Sequence, residues 1–343
     1  MKQHRGVAFS TLTTLRVGGL AQSLVEVETR EELIEEVASL GPEPFLVLGG
    51  GSNLVVSDGG VSDPVIAVRT SGVEVHPEGE RVVVRVAAGE SWDAFVTRCV
   101  AEGWLGVEAL AGIPGTVGAT PIQNVGAYGQ EVSSVVTRVD VYDRAASAVL
   151  SMTAAECHFR YRSSVFKDQP HRFVVMDVWF SLARSGSASP VGYAELAQRL
   201  EISAGEAAPA DAVRSAVLEL RRSKGMVLDD TDHDTWSAGS FFMNPVLPAP
   251  EVPAQAPAWP QLDGRVKTSA AWLIERAGFA KGYGADLGTG RATLSHKHTL
   301  AITNRGGCTT EDVVLLARTV RDGVHKKFGV MLHHEPMLVG VQL

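Results

Sequence analysis

The chain has 343 residues, 45% of them hydrophobic and 20% charged, an ordinary globular balance with room for two or three domains. A formal net charge of -8 argues against a nucleic-acid or anionic-membrane surface, so an anionic small ligand would need locally placed Lys, Arg and main-chain amides. Cys99, Cys157 and Cys308 are scattered and form no C-x-x-C pair, which points away from a disulfide framework or zinc site and toward reduced thiols in a cytoplasmic protein.

The polar opening, residues 1–10, has no apolar signal core, and no stretch approaches the roughly 20 apolar residues of a membrane span. Residues 24–27 read as a strand. Thr29-Arg30-Glu31-Glu32 is a capping-box pattern that opens a helix, on which Leu33, Ile34, Val37 and Leu40 recur at helical spacing. The apolar run 45–48 completes a β-α-β unit, and a first subdomain closes as residues 1–70. Residues 81–86 are β-rich, and Ser91 caps a helix whose apolar face is Trp92, Phe95, Val96, Cys99 and Val100, so Cys99 packs rather than reacts. Residues 135–142 and 173–182 read as strands, the second with the imperfect alternation of a strand buried on both faces. A helix over residues 211–222 turns Val213, Ala216, Val217 and Leu220 to one side, and residues 71–223 are expected to form a mixed sheet with covering helices.

Past Lys224 the texture changes. An acidic stretch, residues 229–234, and a Pro/Ala-rich run, residues 245–260, flank the compact motif Gly239-Ser240-Phe241-Phe242-Met243-Asn244-Pro245. A third domain spans residues 224–330. Helices are expected over residues 269–277, with Leu273 and Ile274 inward, and over residues 310–328, with Val313, Leu316, Ala317, Val320 and Val324 inward. A strand at 299–303 lies between them. A tail, residues 331–343, carries His333-His334-Glu335-Pro336 and a last apolar strand, and no internal repeat is present.

Two glycine-rich stretches stand out: Gly49-Gly50-Gly51-Ser52-Asn53, and the run of residues 111–129, AGIPGTVGATPIQNVGAYG. Repeated glycine suits sharp turns and close backbone approach, and successive amides in such turns form anion-holding concavities. Each cluster alone also reads as tight turns at strand ends. The first joins one apolar run to another without opening onto a helix, unlike a G-x-G-x-x-G dinucleotide fingerprint, and no Lys-Ser or Lys-Thr follows it as a P-loop requires.

The ordered set GGGSN, AGIPGTVGA, QNVGAYG, YRSSVFK, GSFFMNP and a terminal HEP, spread over nearly the whole chain, resembles the UDP-N-acetylenolpyruvoylglucosamine reductase family of bacterial flavoenzymes. The resemblance implies an α+β fold in which a two-part unit of the vanillyl-alcohol-oxidase-like type clasps FAD non-covalently and a C-terminal α+β domain binds substrate, with the tail returning to the active site. It implies main-chain contacts to the flavin diphosphate from Gly49, Gly50, Gly51, Ser52 and Asn53. A second loop would lie flat on the cofactor through Gly112, Ile113, Gly115, Thr116, Gly118, Gln123, Asn124, Gly126, Ala127 and Tyr128.

The implied reaction uses NADPH to reduce the enolpyruvyl ether of a nucleotide sugar to a lactyl ether in cell-wall precursor synthesis. Hydride addition at the β-carbon leaves negative charge at the α-carbon beside a carboxylate, so the site needs donors arranged in advance. The resemblance places Arg162 and Glu335 there, Arg162 as a paired fork of donors and Glu335 as a protonated acid whose pKa burial would raise. It maps the proton donor to the α-carbon onto Ser240, the substrate contacts onto Tyr161, Tyr193, Lys224 and Asn244, and implies no obligatory protein partner. Met243 stands where many relatives carry Lys, Trp259 where some place Tyr, and the span from Lys224 to Gly239 is longer than usual. Two other readings share the motifs: a flavin oxidase that returns electrons to oxygen, and a nucleotide-sugar binding protein without turnover, against which Arg162, Ser240 and Glu335 speak.

The other candidates read plainly. His296 and His298 would face one side of a strand but have no Cys or carboxylate close in sequence, so no metal is expected. The acidic run lacks the glycine and terminal glutamate of an EF-hand and reads as a solvated loop. Lys326-Lys327 complements a helix dipole.

Overall fold

The computed structural model describes residues 1–184 and 190–343. The chain divides into two compact units, one of residues 1–5, 23–50 and 63–223, the other of residues 6–22, 51–62 and 224–343.

In the first unit a four-stranded sheet runs in the order Lys2–His4, Leu24–Val27, Val65–Val68, Leu46–Leu48. The two parallel pairings follow from the connections. Leu24–Val27 and Leu46–Leu48 are both parallel to Val65–Val68, which parallel strands achieve only through crossovers, here helix Arg30–Leu40 and then residues 49–64. The Thr29 side chain accepts from the Glu32 amide at 3.1 Å, while the Glu32 carboxylate reaches the Glu28 amide at 2.8 Å, one residue before the cap. Leu33 and Val37 are the helix's buried residues.

The second sheet of this unit is antiparallel throughout, not mixed as expected. Its order is Ala148–Thr153, Val136–Asp143, Phe173–Arg184, Arg81–Ala87, Val73–Glu78, with Trp104–Leu105 pairing the end of Phe173–Arg184. Tight hairpins join Val73–Glu78 to Arg81–Ala87 and Val136–Asp143 to Ala148–Thr153, and a hairpin can only make antiparallel neighbours. Helix Trp92–Ala101, capped by Ser91, buries Trp92, Phe95, Val96 and Cys99, and the Phe95 ring meets Phe180 of the central strand at 5.0 Å. Helix Ala210–Ser223 buries Val213, Ala216, Val217 and Leu218.

The second unit is built on helices Ala270–Ala277 and Thr310–Phe328. The latter starts with a reciprocal capping box between Thr309 and Asp312 and stops at Gly329, whose φ of 71° is the left-handed conformation a helix C-cap favours. Val313, Leu316, Val320 and Val324 pack with Leu273, Ile274, Phe241 and Phe242 in one core, which also contains Leu15, Val17 and Val55. Those three explain a difference from the expected linear division. Residues 6–22 and 51–62 do not stay with a first subdomain of residues 1–70, because their apolar side chains fill the C-terminal core and Leu54–Val56 gives its edge, in parallel, to Met337–Val339.

The strand expected at 299–303 is Ile302–Asn304, paired with Ala292–Leu294. His296 and His298 therefore sit on the connecting turn, where Ser295 Oγ accepts from the Lys297 amide at 3.0 Å and the His298 amide at 3.3 Å, and do not share a strand face. The three cysteines are buried free thiols, and burial pushes Cys157 and Cys308 each up to about 12. No helix among the described residues is long and apolar enough to cross a membrane.

Candidate functional site

In the first unit the start of one glycine loop lies on the other. A methyl group on Gly50 would fall 2.7 Å from Gly115 Cα, and one on Gly49 would fall 2.5 Å from Thr116 Oγ1. Main chain thus packs on main chain. Gly115 has φ 116° and Gly112 φ 70°, and Thr116 bridges to Ser91 at the start of the capped helix. Gly118 continues the run: its amide donates to Ala88 O at 2.9 Å, and no space remains for a side chain against Ala88. The loop is tied down by Asp93, in the first turn of that helix, whose carboxylate accepts from the Gly112 amide at 2.6 Å. Asp93 was not among the expected site residues; an acid in the first helical turn reads as a dipole complement, and its glycine partner is visible only in three dimensions.

Residues 126–131 fold into a hairpin, Gly126–Ala127 against Gln130–Glu131. Asn124 is buried, at φ 46°, with Nδ2 donating to Glu131 Oε2 at 2.8 Å and to Arg160 O at 3.2 Å, and Oδ1 accepting from Ser133 N at 3.1 Å. Its side chain shapes the loop from inside. The Arg162 guanidinium, on a residue at φ 53°, donates to the carbonyls of Gly126 and Asn124 and lies 5.3 Å from the Tyr161 ring. Tyr128, at φ 48°, meets the Tyr193 ring edge-on at 5.4 Å, which places Tyr193 against the second glycine run. Burial pushes the Tyr128 phenol up to about 12, so it stays a neutral donor through the physiological range.

In the second unit three motifs that are far apart in sequence meet. Phe242 bridges His334, the Met243 amide donates to His333 O and the Glu335 amide to Phe241 O, each at 2.9 Å. Ser240 and Glu335 are thereby brought to the same end of one antiparallel pairing. Asn53 joins them: its carbonyl accepts from the Met337 amide at 2.9 Å, and its side chain approaches Glu335 O at 3.5 Å. Asn244 places its Oδ1 2.9 Å from the Ala270 amide at the start of a helix. Lys224 follows directly on helix Ala210–Ser223 and precedes Gly225, at φ 66°. Trp259 is exposed and pairs across strands with Lys267. Among the described residues no group of His, Cys, Asp and Glu is arranged to hold a metal.

Residues 21–152 match the family model described as FAD binding domain, and residues 230–339 match the one described as UDP-N-acetylenolpyruvoylglucosamine reductase, C-terminal domain. The UDP-N-acetylenolpyruvoylglucosamine reductase of Thermobifida fusca is 54% identical, over 99% of this chain and 98% of its own length. That of Salinispora arenicola is 49% identical over 97% of this chain and 95% of its own. The crystal structure of the enzyme from Thermus caldophilus superposes with a TM-score of 0.68 at 28% identity, covering 99% of both chains. Similarity of this degree over the whole length of both partners means that the chain belongs to the UDP-N-acetylenolpyruvoylglucosamine reductase family.

Proposed function

We propose that the protein reduces UDP-N-acetylenolpyruvoylglucosamine to UDP-N-acetylmuramate, with FAD bound and NADPH as hydride donor. The observation that supports this reading is the main-chain pairing of residues 241–243 with 333–335, which brings residues 240 and 335 to one end of that pairing, as a hydroxyl donor and an acid serving one substrate group would require.

The donor chemistry of the glycine loops suits a flavin diphosphate. Residues 49–53 and 111–129 contain no acidic side chain, and offer main-chain amides with the polar side chains of Ser52, Asn53, Thr116 and Gln123. Positive φ at Gly51, Gly112, Gly115 and Tyr128 lets consecutive amides turn toward an anion. Gly49, Gly50, Gly112, Ile113, Gly115, Thr116, Gly118, Gln123, Gly126, Ala127 and Tyr128 would hold the cofactor, with Gly51, Ser52 and Asn53 continuing the first loop. When bound, FAD supplies two-electron hydride exchange between NADPH and the enolpyruvyl β-carbon.

The remaining chemistry belongs to side chains. Arg162 offers a planar fork of donors to the substrate carboxylate, holding the charge that grows there as the β-carbon gains hydride. Glu335, as the carboxylic acid, donates a hydrogen bond to the same group. Ser240 gives its hydroxyl proton to the α-carbon, which completes addition of one hydride and one proton across the double bond; solvent then restores the proton. Lys224 and the Asn244 amide serve the diphosphate, the Asn244 oxygen being already engaged by the Ala270 amide. Tyr161 and Tyr193 flank the substrate.

The test is anaerobic. NADPH should bleach the flavin of the purified protein, and UDP-N-acetylenolpyruvoylglucosamine should restore its colour with release of UDP-N-acetylmuramate. Recolouring by oxygen and not by the enolpyruvyl substrate would overturn the proposal in favour of an oxidase.

A further inference from the structure

The long connection from Lys224 to Ser240 carries a buried charged node that the proposed chemistry does not use. Asp230 is exposed, but Asp234 is only 7% exposed. Its Oδ1 accepts from the His296 amide at 2.9 Å and from Arg305 Nη1 at 3.0 Å, with His296 Nδ1 3.5 Å away. Burial alone would raise its carboxyl, yet the His296 amide, Ser295 and the Arg305 charge together hold it below the usual carboxylate range. The acid is anchored to the turn that carries His296 and to Arg305, the residue that follows strand Ile302–Asn304.

The main chain of the same residue closes the loop. A methyl group on Gly225 would fall 2.7 Å from Asp234 O, and Gly225 is at φ 66°, so the residue after Lys224 is glycine resting directly on Asp234. The Thr235 hydroxyl lies 2.8 Å from Asp229 O and 2.7 Å from Asp232 O, two acceptors that share its one proton, and Lys297 pairs with Asp232. These contacts make the loop a closed strap whose two ends meet at Gly225 and Asp234.

Ser240, at the other end, has independent supports. Ser237 bridges Thr303, the Asn304 amide donates to Trp236 O at 3.0 Å, Thr14 Oγ1 donates to Ser237 O at 2.6 Å, and the Phe241 amide donates to Leu300 O at 2.7 Å. Loss of the Asp234 carboxylate therefore leaves the segment entering Ser240 pinned but frees the ground on which Gly225 rests.

We infer that Asp234 is a positioning residue for Lys224, its carboxylate fastening the strap and its carbonyl seating Gly225, so that it sets affinity for the nucleotide diphosphate without acting in proton transfer. This rests on the substrate reading above. The experiment measures binding of UDP-N-acetylenolpyruvoylglucosamine to oxidised holoenzyme by calorimetry, together with the two flavin half-reactions, for wild type, Asp234→Asn and Gly225→Ala. Wild type that neither binds nor is reoxidised by this compound would sink the substrate reading itself. With wild type active, both variants are expected to raise Kd at least 10-fold, with flavin reduction by NADPH and reoxidation at saturating substrate each within about threefold of wild type. A wild-type Kd in either variant overturns the inference, as does a collapse of reoxidation at unchanged Kd, which would put Asp234 with Ser240. Failure of both variants to fold with flavin bound would make the contact merely structural and overturn it equally.

Discussion

Replacing Gly50 with alanine probes whether the two glycine loops act as one surface. The added methyl would lie 2.7 Å from Gly115 Cα, 3.3 Å from its carbonyl carbon and 3.4 Å from its nitrogen. Carbon atoms pack at about 3.5 to 4.0 Å, so the loops must part by about 1 Å, and every obstructing atom is backbone. Overpacking of this kind costs roughly 1 to 3 kcal/mol. If parting the loops widens the cradle for the flavin diphosphate, that cost appears as a rise of about 5- to 150-fold in the FAD dissociation constant. Gly49 is the internal control. Its methyl would meet only Thr116 Oγ1 at 2.5 Å, with Thr116 Cβ and Cγ2 at 3.7 Å, and a hydroxyl can turn to another rotamer. Gly49→Ala should therefore weaken FAD less than Gly50→Ala. Titration of apoprotein with FAD, followed by flavin fluorescence, gives both constants. A Gly50→Ala protein that binds FAD within twofold of wild type, or a Gly49→Ala protein that is the weaker of the two, refutes the reasoning.

Ser240→Ala should leave flavin reduction by NADPH nearly intact and slow reoxidation by the enolpyruvyl substrate about 10²- to 10⁴-fold, the span of a general acid, in anaerobic stopped flow; equal slowing of both half-reactions would make Ser240 structural. Glu335→Gln should impair the second half-reaction alone, and an unchanged reoxidation rate removes it from the site. Acid stability offers a third check, far from the chemistry. Arg172 approaches the Asp143 carboxylate with Nη2 at 2.8 Å and holds its carboxyl below the usual range, against the opposing push of burial and with help from the Ala145 amide. Because the folded value is depressed below the unfolded one of about 3.9, the stabilisation is complete well above that pH and vanishes as pH falls through the folded value. Asp143→Asn should therefore lower the urea midpoint at pH 7, with the gap to wild type narrowing as pH falls below about 3.9; a gap that persists undiminished at pH 3 would contradict the assignment.

Local signals carried much of the architecture. The apolar spacing of residues 310–328 matches helix Thr310–Phe328, that of residues 269–277 matches helix Ala270–Ala277 to within one residue, and Ser91 marks another helix start, because caps and 3.6-residue periodicity are satisfied within a few neighbouring positions. The family is likewise legible in its ordered motifs. What pairs with what is another matter. The mixed sheet expected of residues 71–223 is antiparallel, His296 and His298 lie on a turn, and residues 6–22 and 51–62 belong with the C-terminal core. No window of sequence shows that residues 333–335 lie along residues 241–243, or that Asp93 holds the Gly112 amide. Such choices depend on which strand edges and apolar faces are still uncovered once the rest of the chain has collapsed, a property of the packed whole that no segment carries alone.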